Sequence, residues 1–350
     1  MTVLRSDVLP IAFVVPLQGP TGIYGPSCLA CGQLAVEQLN ARNGIAGRQV
    51  ELVQVDAGRP PAVVAEEVGR LVDSGRVEAV AGWHISAVRV ALTRRIGGRV
   101  VYAFAAMHEG GDDTPGVFML GERPVNQLLP AARWLRENHG ASRWVVVGND
   151  YVYPRVTGSV AQEALDIVDS AYVALGTDDF SEVINGLKAT KADGVIMLLM
   201  GQDAVHFNRQ FARAGLSEDL LRLSPAIEEN TLLGGGPGAN HGVYAAAAYF
   251  DGLSTVESSE FAQQYYARFG PFAPALNAVG ESCYEAIRFL ARLGEVSGSI
   301  AMSAGLPSGH FYDSPRGLLR LDGNLVDQDV YLAVADGLEF RIQEQIAYTH

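Results

Sequence analysis

At 350 residues the chain is about twice the length of an ordinary single domain, which predicts two lobes. Its 48% hydrophobic and 19% charged residues are the mix of an α/β protein with real cores. A formal charge of −13 without blocks of like sign argues against direct nucleic-acid partners, and no apolar run, Val195–Met200 included, comes near the ~20 residues of a membrane helix.

No basic stretch, apolar region and small-residue cleavage site opens the chain. With Met1 as the native start this predicts a cytoplasmic location; with a trimmed start, an extracytoplasmic one, as a secreted protein or lipoprotein. Strand-like segments 11–17, 50–55, 77–81 and 100–104 then alternate with helix-like segments 27–42, 61–74 and 86–96. In the first helix Leu29, Gly32, Val36 and Leu39 make a stripe, with Ser27 as the expected N-cap and Gly44 past its end. Cys28 and Cys31 lie inside that helix, with no matching cysteine or histidine pair, and read as small apolar residues on one face.

Pro124 opens a second series, whose Val125, Leu128, Leu129, Ala132 and Leu135 share a helix face. Strand 144–148, a helix after Pro154, strand 171–175, helix 180–189, strand 193–200, helix 202–214 and strand 221–224 follow. Gly234–Gly238 reads as a loop. Residues 257–294 read as two helices, the second with Val279, Cys283, Ile287 and Leu290 on one side. Beyond Pro307 the pattern is strand-like, with turns at Arg316-Gly317 and Asp322-Gly323. Two βαβ series without a low-complexity linker predict two doubly wound, Rossmann-like α/β lobes with hinge crossings near 121–123, 249–252 and 324–328.

Enzyme signatures are missing. There is no phosphate-binding G-x-x-x-x-G-K-[ST], no G-x-G-x-x-G after a strand, no G-x-S-x-G and no H-E-x-x-H. The seven histidines are scattered without metal-ligand spacing, and no basic helix-turn-helix fits before Ile11. A non-catalytic binding protein without metal or cofactor is the expectation.

Leu17-Gln-Gly-Pro-Thr-Gly-Ile-Tyr-Gly25, the helix with Leu34-Ala-Val-Glu-Gln-Leu-Asn40, and Gly44-Ile-Ala-Gly-Arg48 resemble the opening of type I periplasmic binding proteins, the Leu/Ile/Val-binding-protein-like superfamily. Ala81-Gly-Trp-His-Ile-Ser86, Glu109-Gly110 and Gly148-Asn-Asp-Tyr-Val-Tyr-Pro-Arg155 resemble its branch of amide receptors and urea-binding proteins. Gly176–Ser181 and Ala247–Phe250 extend the likeness to roughly 10–340. The resemblance implies a Venus-flytrap fold with three hinge crossings. Lobe 1 is then residues 1–121 plus 251–325, and lobe 2 is 122–250 plus 326–350. It also implies a receptor for a small neutral polar molecule, urea or a short-chain amide, acting as a cytoplasmic sensor that restrains a regulatory protein. The alternative is the solute-binding component of an ABC transporter for urea, amides or branched-chain amino acids, serving a permease.

The candidate ligand residues lie at predicted strand ends, where helix N-termini leave amides free. Ser86 starts a helix after strand 77–81, where its hydroxyl suits a carbonyl oxygen, and the resemblance implies a serine there. Tyr151 and Tyr153 read as alternate residues of an extended loop, offering flat faces and phenolic hydrogen bonds to a planar amide. Trp83 and His84 precede Ser86, and Phe104, Ala106 and Met107 sit at the next strand end. Here the chain departs from the amide receptors, which have tyrosine at His84 and a Tyr-Pro-Thr-Pro run at 104–107. The hydroxyl missing at Ala106 and the thioether of Met107 predict a more apolar pocket and a ligand other than acetamide. Glu228 and Glu229, after strand 221–224, are expected acceptors for an NH2 group, with either able to face the cleft. Gln202 with Asp203 at the next helix start, and Tyr24 as a cap, complete the set. A branched-chain amino acid needs grips for carboxylate and ammonium, whereas an aromatic cleft with one serine favours a neutral ligand.

Overall fold

The computed structural model describes residues 7–300 and 309–347; the opening Met1–Ser6 and Pro307 lie outside the described residues. The first series runs β1 (Val8–Val15), α1 (Gly25–Asn40), β2 (Gln49–Asp56), α2 (Pro61–Asp73), β3 (Ala79–Gly82), α3 (Ser86–Ile96), β4 (Val101–Phe104) and β5 (Val117–Met119). The second runs α4 (Pro124–His139), β6 (Arg143–Asn149), α5 (Val152–Ala164), β7 (Asp166–Val173), α6 (Ser181–Ala189), β8 (Gly194–Leu198), α7 (Gln202–Arg213), β9 (Leu221–Ser224), α8 (Glu229–Gly235), α9 (Pro237–Asn240) and β10 (Val243–Ala247). The chain closes with α10 (Val256–Phe269), α11 (Ala278–Ser297), β11 (His310–Ser314), β12 (Gly317–Asp322), β13 (Leu325–Asp327), β14 (Val330–Asp336) and β15 (Glu339–Ala347).

These strands form two sheets, ordered β11-β12-β13-β5-β4-β3-β1-β2 and β15-β14-β10-β9-β8-β6-β7. Strands β1–β5 pair in parallel, as do β6–β10. Each parallel set repeats one pattern: its second strand lies outside the first, and the third to fifth run away on the other side. That leaves a switch point between β1 and β3, and another between β6 and β8, where neighbouring loops part and open a crevice. Central β8 is buried along its whole length, because helices cover both faces, while β7 at the sheet edge is half-exposed.

The chain passes between the sheets three times, at 120–123, at 248–255 and at 328–329. These crossings are laced together. Glu122 Oε1 accepts from the Ala248 amide at 2.7 Å, Gln328 donates to Leu120 O at 3.2 Å, and Arg123 pairs with Asp327 at 2.7 Å. Buried Arg316 donates to Gln328 Oε1 at 2.7 Å and pairs with Glu281 of α11.

Several local expectations need correction. The last crossing falls after Asp327, since β13 pairs with β5 of the first sheet, so a boundary at 325 cuts through a strand. Helix α1 begins at Gly25, and Ser27 lies in its first turn, donating back to Tyr24 O at 2.9 Å. Its buried face is wider than one stripe: Cys28, Cys31, Leu34, Ala35 and Leu39 are all buried, while Leu29 and Val36 are partly covered. The cause is that α1 is packed on β1 and against α11 at once. Strand β7 starts at Asp166 and ends at Val173; its polar Asp166, Asp169 and Ser170 mask an edge strand. Gly234–Gly238 is not one loop: Gly234 and Gly235 end α8, Gly236 at φ +81° is the break, and Pro237 and Gly238 open α9.

Candidate functional site

Loops leaving the two switch points meet each other. The first lobe sends Pro16–Tyr24 after β1 and Trp83–Ile85 after β3; the second sends Asp150–Tyr151 after β6 and Leu199–Gly201 after β8. The backbones come close at Gly201, whose φ is +54° and where a Cβ would stand 2.2 Å from Pro20 O, so glycine is required.

Tyr24 spans this contact. Its hydroxyl accepts from the Gly201 amide at 3.0 Å and donates to Ala226 O at 3.5 Å. Its ring stands edge-on to buried Trp83, with centroids 5.3 Å apart. Burial holds the phenol well above the ordinary tyrosine value, so it remains a donor. Asn230 donates to Ile23 O at 2.9 Å, the Ala278 amide donates to Glu228 Oε2 at 3.2 Å, and Asn277 donates to Asn230 Oδ1. The lobes are therefore closed on one another.

Within the seam Met107 of the first lobe joins Tyr153, Met200 and Ala226 of the second in one apolar cluster, flanked by Tyr151 and Leu175. The tyrosines do not share an extended loop. Tyr151 caps α5 and Tyr153 lies in its first turn, yet both reach the cluster. The Tyr153 hydroxyl lies beside Thr157 of the same helix. The Tyr151 hydroxyl is buried without a hydrogen-bond partner, and burial pushes it far above the ordinary value. It is an unspent donor inside the seam.

Ser86, the first residue of α3, donates to Glu109 Oε2 at 2.7 Å. Arg89, one turn on, donates to Glu109 Oε1 at 2.5 Å, pairs with Asp112, and lies 5.6 Å from the Phe104 ring centroid. Phe104 and His84 belong to the core of the first lobe. His84 Nδ1 donates to Val14 O at 3.0 Å and Nε2 accepts from Tyr102 at 2.5 Å. Burial lowers its pKa to about 4, so the ring is neutral with both nitrogens spent. Ala106 is buried against Gly121 at the first crossing.

The two adjacent glutamates part company. Glu228 turns to the seam, next to Tyr24 and the start of α11, and burial raises it well above the carboxylate range, helped by Glu229 and Glu122. Glu229 turns to the second crossing, where Oε1 accepts from the Asp251 amide at 2.9 Å, and burial raises it to about 8. Gln202 is exposed at the start of α7, next to Gly201. Asp203 is occupied by Asn149 at 2.7 Å and the Gly176 amide at 2.8 Å, which fixes the loops after β6 and β7.

Sequence reasoning passed over Arg89, Glu109, Met200, Asn230 and Asn277 as seam residues. Arg89 had a legible sign, standing three residues after Ser86 on one helix face. Asn277 had another, as the cap whose Oδ1 accepts from Gly280 N at 2.7 Å. Among the described residues no group of three or more His, Cys, Asp or Glu is placed to hold a metal ion, and no helix is long and apolar enough to cross a membrane. Cys28, Cys31 and Cys283 are free and buried.

Comparison with known proteins matches residues 8–338 to the family described as periplasmic binding protein. A curated relative, the Leu/Ile/Val-binding protein BraC3 of Rhizobium johnstonii, is 24% identical over 197 residues, about half of either chain: 53% of this one and 53% of that one. Among solved structures, the branched-chain amino acid transporter substrate-binding protein LivJ of Streptococcus pneumoniae, in complex with isoleucine, superposes with a TM-score of 0.84 at 17% identity, covering 96% of this chain and 99% of that one. The leucine-binding protein LivK of Thermotoga maritima gives 0.83 at 19%, covering 97% and 99%. A solute-binding protein of an ABC transporter from Rhodopseudomonas palustris, in complex with p-hydroxybenzoic acid, gives 0.85 at 18%, covering 97% and 96%.

Proposed function

From its membership of the periplasmic binding protein family, we propose that this chain closes its two lobes over a small neutral planar solute of the amide or urea class, which it binds without converting. The seam holds an unspent phenolic O–H on Tyr151, a buried carboxyl on Glu228 that burial keeps neutral, and no uncompensated cation among the described residues, since Arg89 is matched by Glu109 and Asp112. A carbonyl oxygen accepts from Tyr151, and the NH2 group of an amide or urea donates to Glu228. Met107 and Met200 supply the apolar walls for a flat molecule. A carboxylate solute finds no free cation to pair it among the described residues of the seam, and burying it unpaired costs several kcal/mol. Isoleucine and p-hydroxybenzoic acid, in complex with two of the structural neighbours, each carry that carboxylate.

Two of the structural neighbours are substrate- or solute-binding proteins of transporters, which favours delivery to an ABC permease over the amide-sensor role that the sequence puts first. That role sets the chain outside the cytoplasm. Its working lobes are residues up to 121 with 251–327, and 122–250 with those from 328 on.

Thermal shift and calorimetry with acetamide, propionamide, urea and methylurea, beside leucine, isoleucine and benzoate, test the proposal. The expected result is a rise in Tm confined to the neutral set, as binding to the folded state alone requires, with no product after overnight incubation. An equal or larger rise with leucine or benzoate overturns it.

A further inference from the structure

We propose that Glu109 is a built-in counter-carboxylate that occupies the anion position of the cleft and thereby excludes carboxylate-bearing solutes; this rests on the neutral-solute reading of the cleft. The start of α3 has the makings of an oxyanion grip. Ser86 offers a hydroxyl from the first residue of the helix, and Arg89 follows one turn later on the same face. Both point to one spot, and the side chain that fills it is the protein's own: Glu109 takes Ser86 on Oε2 at 2.7 Å and Arg89 on Oε1 at 2.5 Å. The side chains of Arg89 and Glu109 are only 5% and 7% exposed, so the charges are matched away from water.

Glu109 is held in place by its loop. The His108 amide donates to Glu122 O at 2.9 Å, the Gly110 amide donates to His108 Nδ1 at 3.0 Å, and Gly110 and Gly111 at φ +83° and +75° turn the chain back toward α3. On the far side of the guanidinium Asp112 pairs with Arg89 and accepts from Thr93 at 3.2 Å. Glu109 follows Met107 of the seam cluster by two residues, and its charge bears on the phenols of Tyr151 and Tyr153. It therefore stands beside the seam while it holds Ser86 and Arg89. A solute carboxylate in the seam would meet this like charge before any cation, whereas an amide would not.

Loss of the Glu109 charge should erode the preference, because Arg89 and Ser86 then become free to take a solute carboxylate. The probes are isosteric pairs: acetamide and acetate, propionamide and propionate, benzamide and benzoate. Calorimetry on the full chain compares wild type, Glu109→Gln and Asp112→Asn. Wild type is expected to favour each amide by about tenfold or more, Glu109→Gln to raise the carboxylate relative to its amide by about tenfold, and Asp112→Asn to move the ratio by less than about threefold. Wild type binding carboxylates as well as amides overturns the neutral-solute reading itself. Amide-selective wild type with an unchanged ratio in folded Glu109→Gln overturns the role of Glu109 alone. So does an equal change in Asp112→Asn, which would reflect net charge and not position. Should circular dichroism show Glu109→Gln unfolded, Glu109→Ala is melted with and without acetate. Acetate raising its Tm but not that of wild type supports the anion position, and no effect overturns it.

Discussion

The Tyr151 hydroxyl and Glu229 Oε2 show how differently two buried polar atoms without partners behave. The Tyr151 hydroxyl contributes no hydrogen bond to the folded chain, so Tyr151→Phe leaves the melting temperature unchanged or slightly higher. If the hydroxyl donates to the solute carbonyl, the same variant weakens binding by about 1 kcal/mol, roughly fivefold in Kd by calorimetry. Glu229 bears on stability instead. Its folded pKa, raised by burial to about 8, lies above the unfolded value, so between the two the folded chain keeps a proton that the unfolded chain releases. The stability of the neutral form is complete below the ordinary carboxylate value and is lost as pH rises to about 8. Glu229→Gln, which is neutral throughout, should gain in Tm over wild type steadily from pH 5 to pH 9. A constant offset between the two melting profiles contradicts this.

Among the elements, the order and type of most up to β9 were legible because each carries its own period, while the short β5 and β10 were passed over. The 3.6-residue stripe marks α4 and the unbroken apolar run marks β8. What escaped depended on partners distant in sequence. The wide buried face of α1 exists because α11, more than 230 residues later, packs on it, and no local pattern announces that. Likewise the residues at strand ends were legible as a set, but which of them face the seam was not. His84 precedes Ser86 just as Trp83 does, yet Val14 and Tyr102 draw it into the lobe core, while Trp83 stands against Tyr24. Gly32 shows how tightly α1 sits on its sheet: a Cβ there would stand 2.5 Å from Phe13 Cζ of β1. Gly32→Ala is expected to cost about 1–3 kcal/mol by overpacking, read as a lower urea midpoint. The folded fraction should keep its affinity, because α1 contributes no side chain to the cluster at the seam.

For the whole molecule, closure is set by few polar contacts and a stiff hinge. Glu122 with Ala248, Gln328 with Leu120, and Arg123 with Asp327 tie the three crossings side by side, which favours bending across the crossings over twisting along them. Asn230 bonds Ile23 and Asn277 across the seam, so the Asn230→Ala, Asn277→Ala pair should shift the unliganded chain toward an open form. Small-angle scattering should then show a larger radius of gyration without ligand and a normal one at saturation, with affinity reduced. An unchanged unliganded radius counts against these contacts as the clasp. The placement of Trp83 has an optical consequence. The chain has three tryptophans; Trp134 and Trp144 pack in or against the core of the second lobe, while Trp83 is one ring away from the seam. When the lobes part and Tyr24 leaves Gly201, water reaches the neighbourhood of a single indole. Its emission should then redden and dim while the other two stay constant, so the chain carries its own fluorescent reporter of lobe opening.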